Sequence, residues 1–312
     1  MKIVYLFPGQ GAQYVGMGKS FYDTSPDTRE LFEQADDILK FPLTKLILSG
    51  DESELIQTKN SQPAIFVTSL AILKALEKMF GLTPPAFCAG LSLGEYSALT
   101  AAKILTFEDA LKIVATRGAL MHKACEEQKG TMAVVLGLDD DAVQEAVDSL
   151  NMPAAIFCAN FNCPGQVVIS GTFPAIEKAK DVLLQKGAKR VLPLQVHGAF
   201  HSGLMESAKI GLEPYLKTLP ISIRETKVAM NVTGRLAESS DEIRTLLFNQ
   251  VTSPTRWANG IRAIDKELPS LYLEIGCGST LIGMNKKIGV SAPSLNVDKT
   301  DDLSKLEELL KG

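Results

Sequence analysis

Residues Ala86-Phe87-Cys88-Ala89-Gly90-Leu91-Ser92-Leu93-Gly94 decide how the chain is read. The first five form a short apolar run suited to a buried strand, and a helical pattern runs from Leu93 to about Ala102. The G-x-S-x-G at 90–94 therefore falls on a strand-to-helix turn. Glycines on both sides let the chain turn sharply and leave Ser92 Oγ exposed, with the N–H groups and positive dipole end of the next helix beside it. That context suits a nucleophilic serine; the spacing alone also allows a plain glycine-rich turn.

Outward from this turn, short β-branched runs alternate with longer helical patterns. Ile3–Phe7 reads as a strand, Pro26–Leu39 and Gln62–Phe80 as helices, and Thr106 to about Gln128 as a further helix. From Thr131 the texture changes to a strand, a helix from Asp139 to Ser149, strands at 154–160 and 166–171, a helix from Pro174 to Lys186 and a strand at 190–196. That βαββαβ order is the split pattern of a ferredoxin-like module. After His201 a helix reaches about Leu219, a strand follows near 227–232, one helix ends near Gln250 and another starts at Arg256, and a strand covers 271–276. The expected fold class is α/β. An α/β-hydrolase-like parallel-sheet domain (1–127 and 197–312) carries an inserted ferredoxin-like subdomain (128–196), and the cleft between them is the expected ligand site.

The chain has 312 residues, 46% hydrophobic and 22% charged, which is the profile of a globular protein and excludes disorder. With 32 Lys+Arg against 36 Asp+Glu, the net charge of −4 offers no broad cationic field and argues against nucleic acid. No apolar run approaches the ~18 residues needed to span a bilayer. The opening apolar stretch is broken at Pro8, too early for a signal peptide, so no membrane is expected. The expected location is the cytoplasm, or an organellar stroma after loss of a transit peptide. The five cysteines are scattered without any C-x-x-C pair, which supports neither a disulfide framework nor a metal site.

A serine needs a base, and only His122, His197 and His201 are available. His201 is best placed, where the chain leaves the small subdomain and crosses back over the cleft, although spacing alone also allows a packing histidine. The loop Pro8-Gly9-Gln10-Gly11 follows the first strand but lacks the third glycine of a dinucleotide fingerprint. It is better read as bringing backbone N–H groups to a developing oxyanion. Arg117 and Met121 share a helix face, with His122 about 140° around from Arg117. Taken alone, Arg117 reads as an ordinary solvated helix arginine.

With these residues in place, the chain resembles the malonyl-CoA:acyl carrier protein transacylases of type II fatty acid synthesis, along nearly its whole length. The resemblance rests on FPGQGAQYVGMG (7–18), SQPAIF (61–66), AGLSLGEYSAL (89–99), TRGALM (116–121), NCPGQVVISG (162–171), GAFHSGLM (198–205) and SPTRW (253–257). It implies Ser92 as nucleophile, His201 as base oriented by the backbone carbonyl of Gln250, and the N–H groups of Gln10 and Leu93 as oxyanion hole. Arg117 would hold the malonyl carboxylate, with Met121 and Phe200 walling the pocket. Asn162 and Gln166 would lie near the thioester arm, and Gln62 falls in the matching SQPA segment.

The resemblance also implies malonyl-CoA as substrate, acyl carrier protein as the partner carrying phosphopantetheine, a monomer, and no metal or redox cofactor. Two departures stand out: Leu91 replaces the histidine usual before the nucleophile, and Cys277 replaces the usual proline of the strand-end motif. Because the carrier protein is acidic, Lys189, Arg190, Lys286 and Lys287 are the expected docking cations. Rival readings are a serine esterase or thioesterase using water, an acyltransferase with another acyl-CoA preference, and a non-catalytic nucleotide- or protein-binding module.

Overall fold

In the computed structural model, which describes residues 1–311, ten strands carry the fold. They are β1 (Ile3–Phe7), β2 (Phe87–Gly90), β3 (Thr131–Leu136), β4 (Ile156–Cys163), β5 (Gln166–Gly171), β6 (Arg190–Pro193), β7 (Lys227–Met230), β8 (Arg235–Leu236), β9 (Leu271–Ile275) and β10 (Ser294–Val297). β1 and β2 are apolar at every position because helices cover both faces of their sheet, so neither shows polar alternation. The sheet order is β10-β9-β1-β2-β7-β8, parallel throughout except where β8 returns against β7. The register Phe7↔Gly90 sets the ends of β1 and β2 side by side. The glycine loop at 8–11 and the turn at 91–93 therefore leave the sheet together, at the carboxyl end where α/β sheets gather ligands.

The second sheet is antiparallel in the order β4-β5-β3-β6. Two-residue periodicity divides β3: Ala133 and Val135 pack with Val143, Val147, Ile176 and Leu183 under the helices Asp140–Ser149 and Phe173–Gln185. Met132 and Val134 point the other way and line the cleft. The small sheet is bonded to the rest of the chain beside β4, where Phe161 N–H donates to Thr255 O and Thr255 N–H donates to Ala159 O, both at 2.8 Å.

Several boundaries differ from the sequence reading. The helix expected from Gln62 begins at Thr58 and carries Pro63 inside it, because nearly all-round burial outweighs one lost backbone bond. β4 runs on to Cys163 through two register shifts, and β6 stops at Pro193. The helix Thr280–Ile288 was not expected, since Gly283 sits in its middle and glycine weakens a helical pattern. The short helices Lys19–Thr24, Leu43–Ser49 and Glu52–Leu55, the strands β8 and β10, and the helix Leu303–Lys311 were likewise unassigned.

Candidate active site

A side chain at either glycine of the turn would collide with backbone. A Cβ on Gly90 would lie 1.9 Å from the Gly94 carbonyl carbon, and one on Gly94 would lie 2.2 Å from Phe7 O. The helix Gly94–Ala101 can thus start directly on the sheet, and Ser92 is held at φ 53°, a left-handed conformation costly for a side-chain-bearing residue. Asn231, just past β7, secures the turn: its Oδ1 accepts from Ser92 N–H at 2.7 Å and its Nδ2 donates to Gly90 O at 2.8 Å.

His201 is 3% exposed, also has positive φ (55°), and places Nε2 2.8 Å from Ser92 Oγ. Its Nδ1 lies 2.9 Å from Gln250 O. A carbonyl only accepts, so Nδ1 carries the proton and Nε2 is left to accept from the serine hydroxyl. Burial first, and the Arg117 cation second, hold the imidazole pKa down to about 4, against the hydrogen bonds to the Gln250 and Ser253 backbones. His201 is therefore a neutral acceptor at physiological pH.

Arg117 projects from the helix Phe107–Glu127 and is 1% exposed. Its Nη1 donates to Gln62 Oε1, and its Nη2 donates to Ser92 Oγ at 3.1 Å and Gln250 Oε1 at 2.9 Å. The guanidinium stands 5.7 Å from the Tyr96 ring centroid, and its buried Nε has no hydrogen-bond partner among the described residues. Every acceptor it has is neutral, so burial costs this cation solvation without a direct carboxylate in return. The Gln250 side chain joins the parts: beyond accepting from Arg117, its Nε2 donates to Ser92 O at 2.9 Å and to Glu95 Oε2 at 2.5 Å.

These groups open on a cleft of about 300 Å³ whose lining includes Gln10, Leu93, Met121, Asn162, Gln166 and Phe200. Among the described residues, neither the Gln10 nor the Leu93 backbone N–H donates a hydrogen bond to the protein. Gln62 also donates to Met121 Sδ at 3.5 Å, while Asn162 Oδ1 is buried without a partner. Val134, Val168, Leu194 and Val196 form the apolar wall on the small-sheet side. Of the other histidines, His197 is exposed and His122 faces Glu126 at 3.7 Å.

Lys189 and Arg190 are exposed at the start of β6. Lys287 reaches the cleft rim, donating to Gln166 Oε1 at 3.2 Å, whereas Lys286 lines a separate depression with Ser279 and Asn285. Leu91 borders the cleft, and Cys277 is wholly buried.

The pattern of the acyl transferase domain matches residues 4–295. The chain belongs to the acyl transferase family. Other acyl transferases match it end to end. The malonyl CoA-acyl carrier protein transacylase of Bacillus subtilis (strain 168) is 39% identical over 311 residues, covering 99% of this chain and 98% of that protein. The Haemophilus influenzae protein of the same name is 37% identical, with 99% of each chain covered. A malonyl-transacylase solved in complex with a type II polyketide acyl-carrier protein superimposes with a TM-score of 0.94 at 35% identity over the whole of both chains. The Clostridium perfringens transacylase does so with a TM-score of 0.94 at 37% identity, covering 100% of this chain and 98% of that one.

Within this acyl transferase, the sequence reading missed Glu95 and Asn231. Glu95 shows no local sign beyond its place directly after the turn, in the first turn of the helix Gly94–Ala101. Asn231 stands at the carboxyl end of a strand beside β2, a position where a polar residue reads as functional once the sheet order is known.

Proposed function

We propose that the chain moves the malonyl group from malonyl-CoA to the phosphopantetheine thiol of an acyl carrier protein through an ester on Ser92. The observation that carries this reading is a buried, directly unpaired Arg117 within hydrogen-bond reach of a serine that also faces a neutral histidine. Such a cation suits an acyl group ending in a carboxylate. The transacylase names of the full-length relatives and the complex of a structural relative with an acyl-carrier protein support the same reading.

In the proposed cycle His201 Nε2 takes the Ser92 proton as Oγ attacks the thioester carbonyl. The N–H groups of Gln10 and Leu93 receive the oxyanion. Its collapse expels the CoA thiolate, which leaves as the thiol with the proton held by His201. The phosphopantetheine thiol then gives its proton to His201 and attacks the ester. A second tetrahedral intermediate releases malonyl-thioester, and the proton returns to Ser92 Oγ. These steps call for no metal or redox group. Met121 and Phe200 wall the acyl pocket, Asn162 and Gln166 contact the thioester arm, and Lys189, Arg190, Lys286 and Lys287 receive the acidic carrier.

The same reading assigns an α/β-hydrolase-like domain to 1–127 and 197–312 and a ferredoxin-like subdomain to 128–196, acting as a monomer in the cytoplasm or a stroma. No helix among the described residues is long and apolar enough to cross a membrane.

Intact mass after incubation with malonyl-CoA tests the proposal. One malonyl unit should appear on the wild type and none on Ser92→Ala, and CoA release should stop at one equivalent until carrier protein is added. Label on the mutant would end the serine mechanism; steady CoA release without carrier would favour a thioesterase.

A further inference from the structure

Glu95 is wholly buried beneath the reacting pair, and none of the proposed steps uses it. Its two oxygens are both taken by N–H donors: Oε1 accepts from Asn231 N–H and Oε2 from Gln250 Nε2, each at 2.5 Å. That arrangement suits a carboxylate, which can only accept, and it belongs to the ionised form that prevails above the pKa of about 7 to which burial raises this group. Its effect passes through Gln250. With Nε2 committed to Glu95 and to Ser92 O, Oε1 is the end of the amide that faces Arg117. A reversed amide would set N–H against the guanidinium donors and oxygen against two acceptors, losing all three bonds.

Gln250 also keeps the two opposite charges apart. A carboxylate bonded directly to Arg117 would hold the guanidinium as a closed ion pair, whereas one glutamine away it supplies a balancing negative charge and leaves Arg117 with neutral partners only, Gln62, Ser92 Oγ and Gln250, which a substrate carboxylate can displace or join. The geometry points to Glu95 as a positioning residue for acyl choice: by orienting the Gln250 amide it keeps Arg117 aimed into the cleft and so sets the preference for carboxylate-bearing over neutral acyl groups. This inference rests on the reading of the cleft as a malonyl-transfer site.

The test uses the full chain at pH 8, where Glu95 is ionised, and measures acyl-serine formation from malonyl-CoA and from acetyl-CoA, with kcat and KM separated, in wild type, Glu95→Gln, Gln250→Met and the double variant. Hydrogen bonds to a charged group of this kind are worth roughly 10- to 100-fold. Glu95→Gln should therefore lower the malonyl-to-acetyl ratio of kcat/KM by about that factor, mainly through the KM for malonyl-CoA. Gln250→Met, which keeps the backbone carbonyl on His201, should lower the ratio similarly, and the double variant should fall little further. A merely structural role would reduce both substrates together. An unchanged ratio in Glu95→Gln, or, should that variant lose its cooperative melt, an unchanged ratio in Gln250→Met, overturns the inference while labelled wild type leaves the malonyl-transfer reading standing. Fully additive losses in the double variant also overturn it. A wild type that takes no malonyl label overturns both.

Discussion

Arg117 Nη2 lies 3.1 Å from Ser92 Oγ, so the cation suited to the far end of an acyl group also touches the atom proposed to carry it. An acyl chain esterified there can return its terminal carboxylate to the same guanidinium only if it is short. A malonyl group, with one carbon between its two carboxyl carbons, has that length. Arg117→Ala should therefore lose malonyl transfer by roughly 10² or more while gaining relatively on acetyl-CoA, which no longer leaves a guanidinium unpaired. Comparing kcat/KM for malonyl-, methylmalonyl- and acetyl-CoA checks this; an unchanged malonyl-to-acetyl ratio would remove Arg117 from the acyl site. Methylmalonyl should stay excluded, because Phe200 beside His201 crowds an α-branch independently of charge.

The pH profile should report His201. Its pKa is held down to about 4, so it is already neutral well below physiological pH. Acylation by acetyl-CoA at low concentration should be flat through neutrality and lose activity with one proton only near that value. Arg117 is the second cause of the depression, so Arg117→Ala should move the limb upward, toward the ordinary 6.5. A limb that stays in place would show that the guanidinium does not act on the imidazole.

Stability should follow a different balance. Between about 4 and 6.5 the unfolded chain holds a proton that folded His201 lacks, so this group gains stability as pH rises. Burial raises Glu95 and Glu274 from 4.5 to about 7, so between those values the folded chain holds the extra protons and loses stability as pH rises. Two protons outweigh one, leaving a net slope of about 1.4 kcal/mol per pH unit against the neutral side. Calorimetry should find a higher melting temperature at pH 5 than at pH 7.5, and a smaller difference in Glu274→Gln. The reverse order would mean that these carboxyls are not protonated when folded.

Of the four cations nominated for carrier docking, Lys189, its neighbour Arg190 and Lys287 are linked along one rim. Lys189 lies over Gly137, Gly137 N–H donates to Gly165 O, and Gln166 next to it accepts from Lys287. Reversing charge at Lys189 and Arg190 should slow transfer to carrier protein in a salt-dependent way and leave self-malonylation intact. Equal loss in both half-reactions would argue against docking there. Lys286→Glu should matter less, since that side chain borders a different depression.

What the sequence made legible was whatever local pattern or scarcity could mark. Ser92 announced itself by flanking glycines with a strand before and a helix after, and His201 by having only two competitors. Gln250 could be placed only through family likeness, because its orienting group is a backbone carbonyl that every residue owns. Its side-chain part had no local sign at all, since it joins Ser92, Glu95 and Arg117, residues far away along the chain. Glu95 looked like a first-turn helix acid, and only the sheet order that sets β7 beside β2 shows that Asn231 lies against it. Strand alternation with helices revealed the two-sheet plan, whereas the helix Thr280–Ile288 stayed hidden behind Gly283 because packing rather than propensity forms it.

The bonds between Thr255 and β4 have a mechanical consequence. Gln250, whose carbonyl aims the imidazole, lies five residues before Thr255 in the same segment. Drawing the small sheet away to widen the mouth would tug that segment and misdirect the base, so aperture and reactivity form a single coordinate. An enzyme wired in this way is suited to keeping a fixed slot and being fed through it by something slender on a tether, rather than opening like a jaw around its cargo.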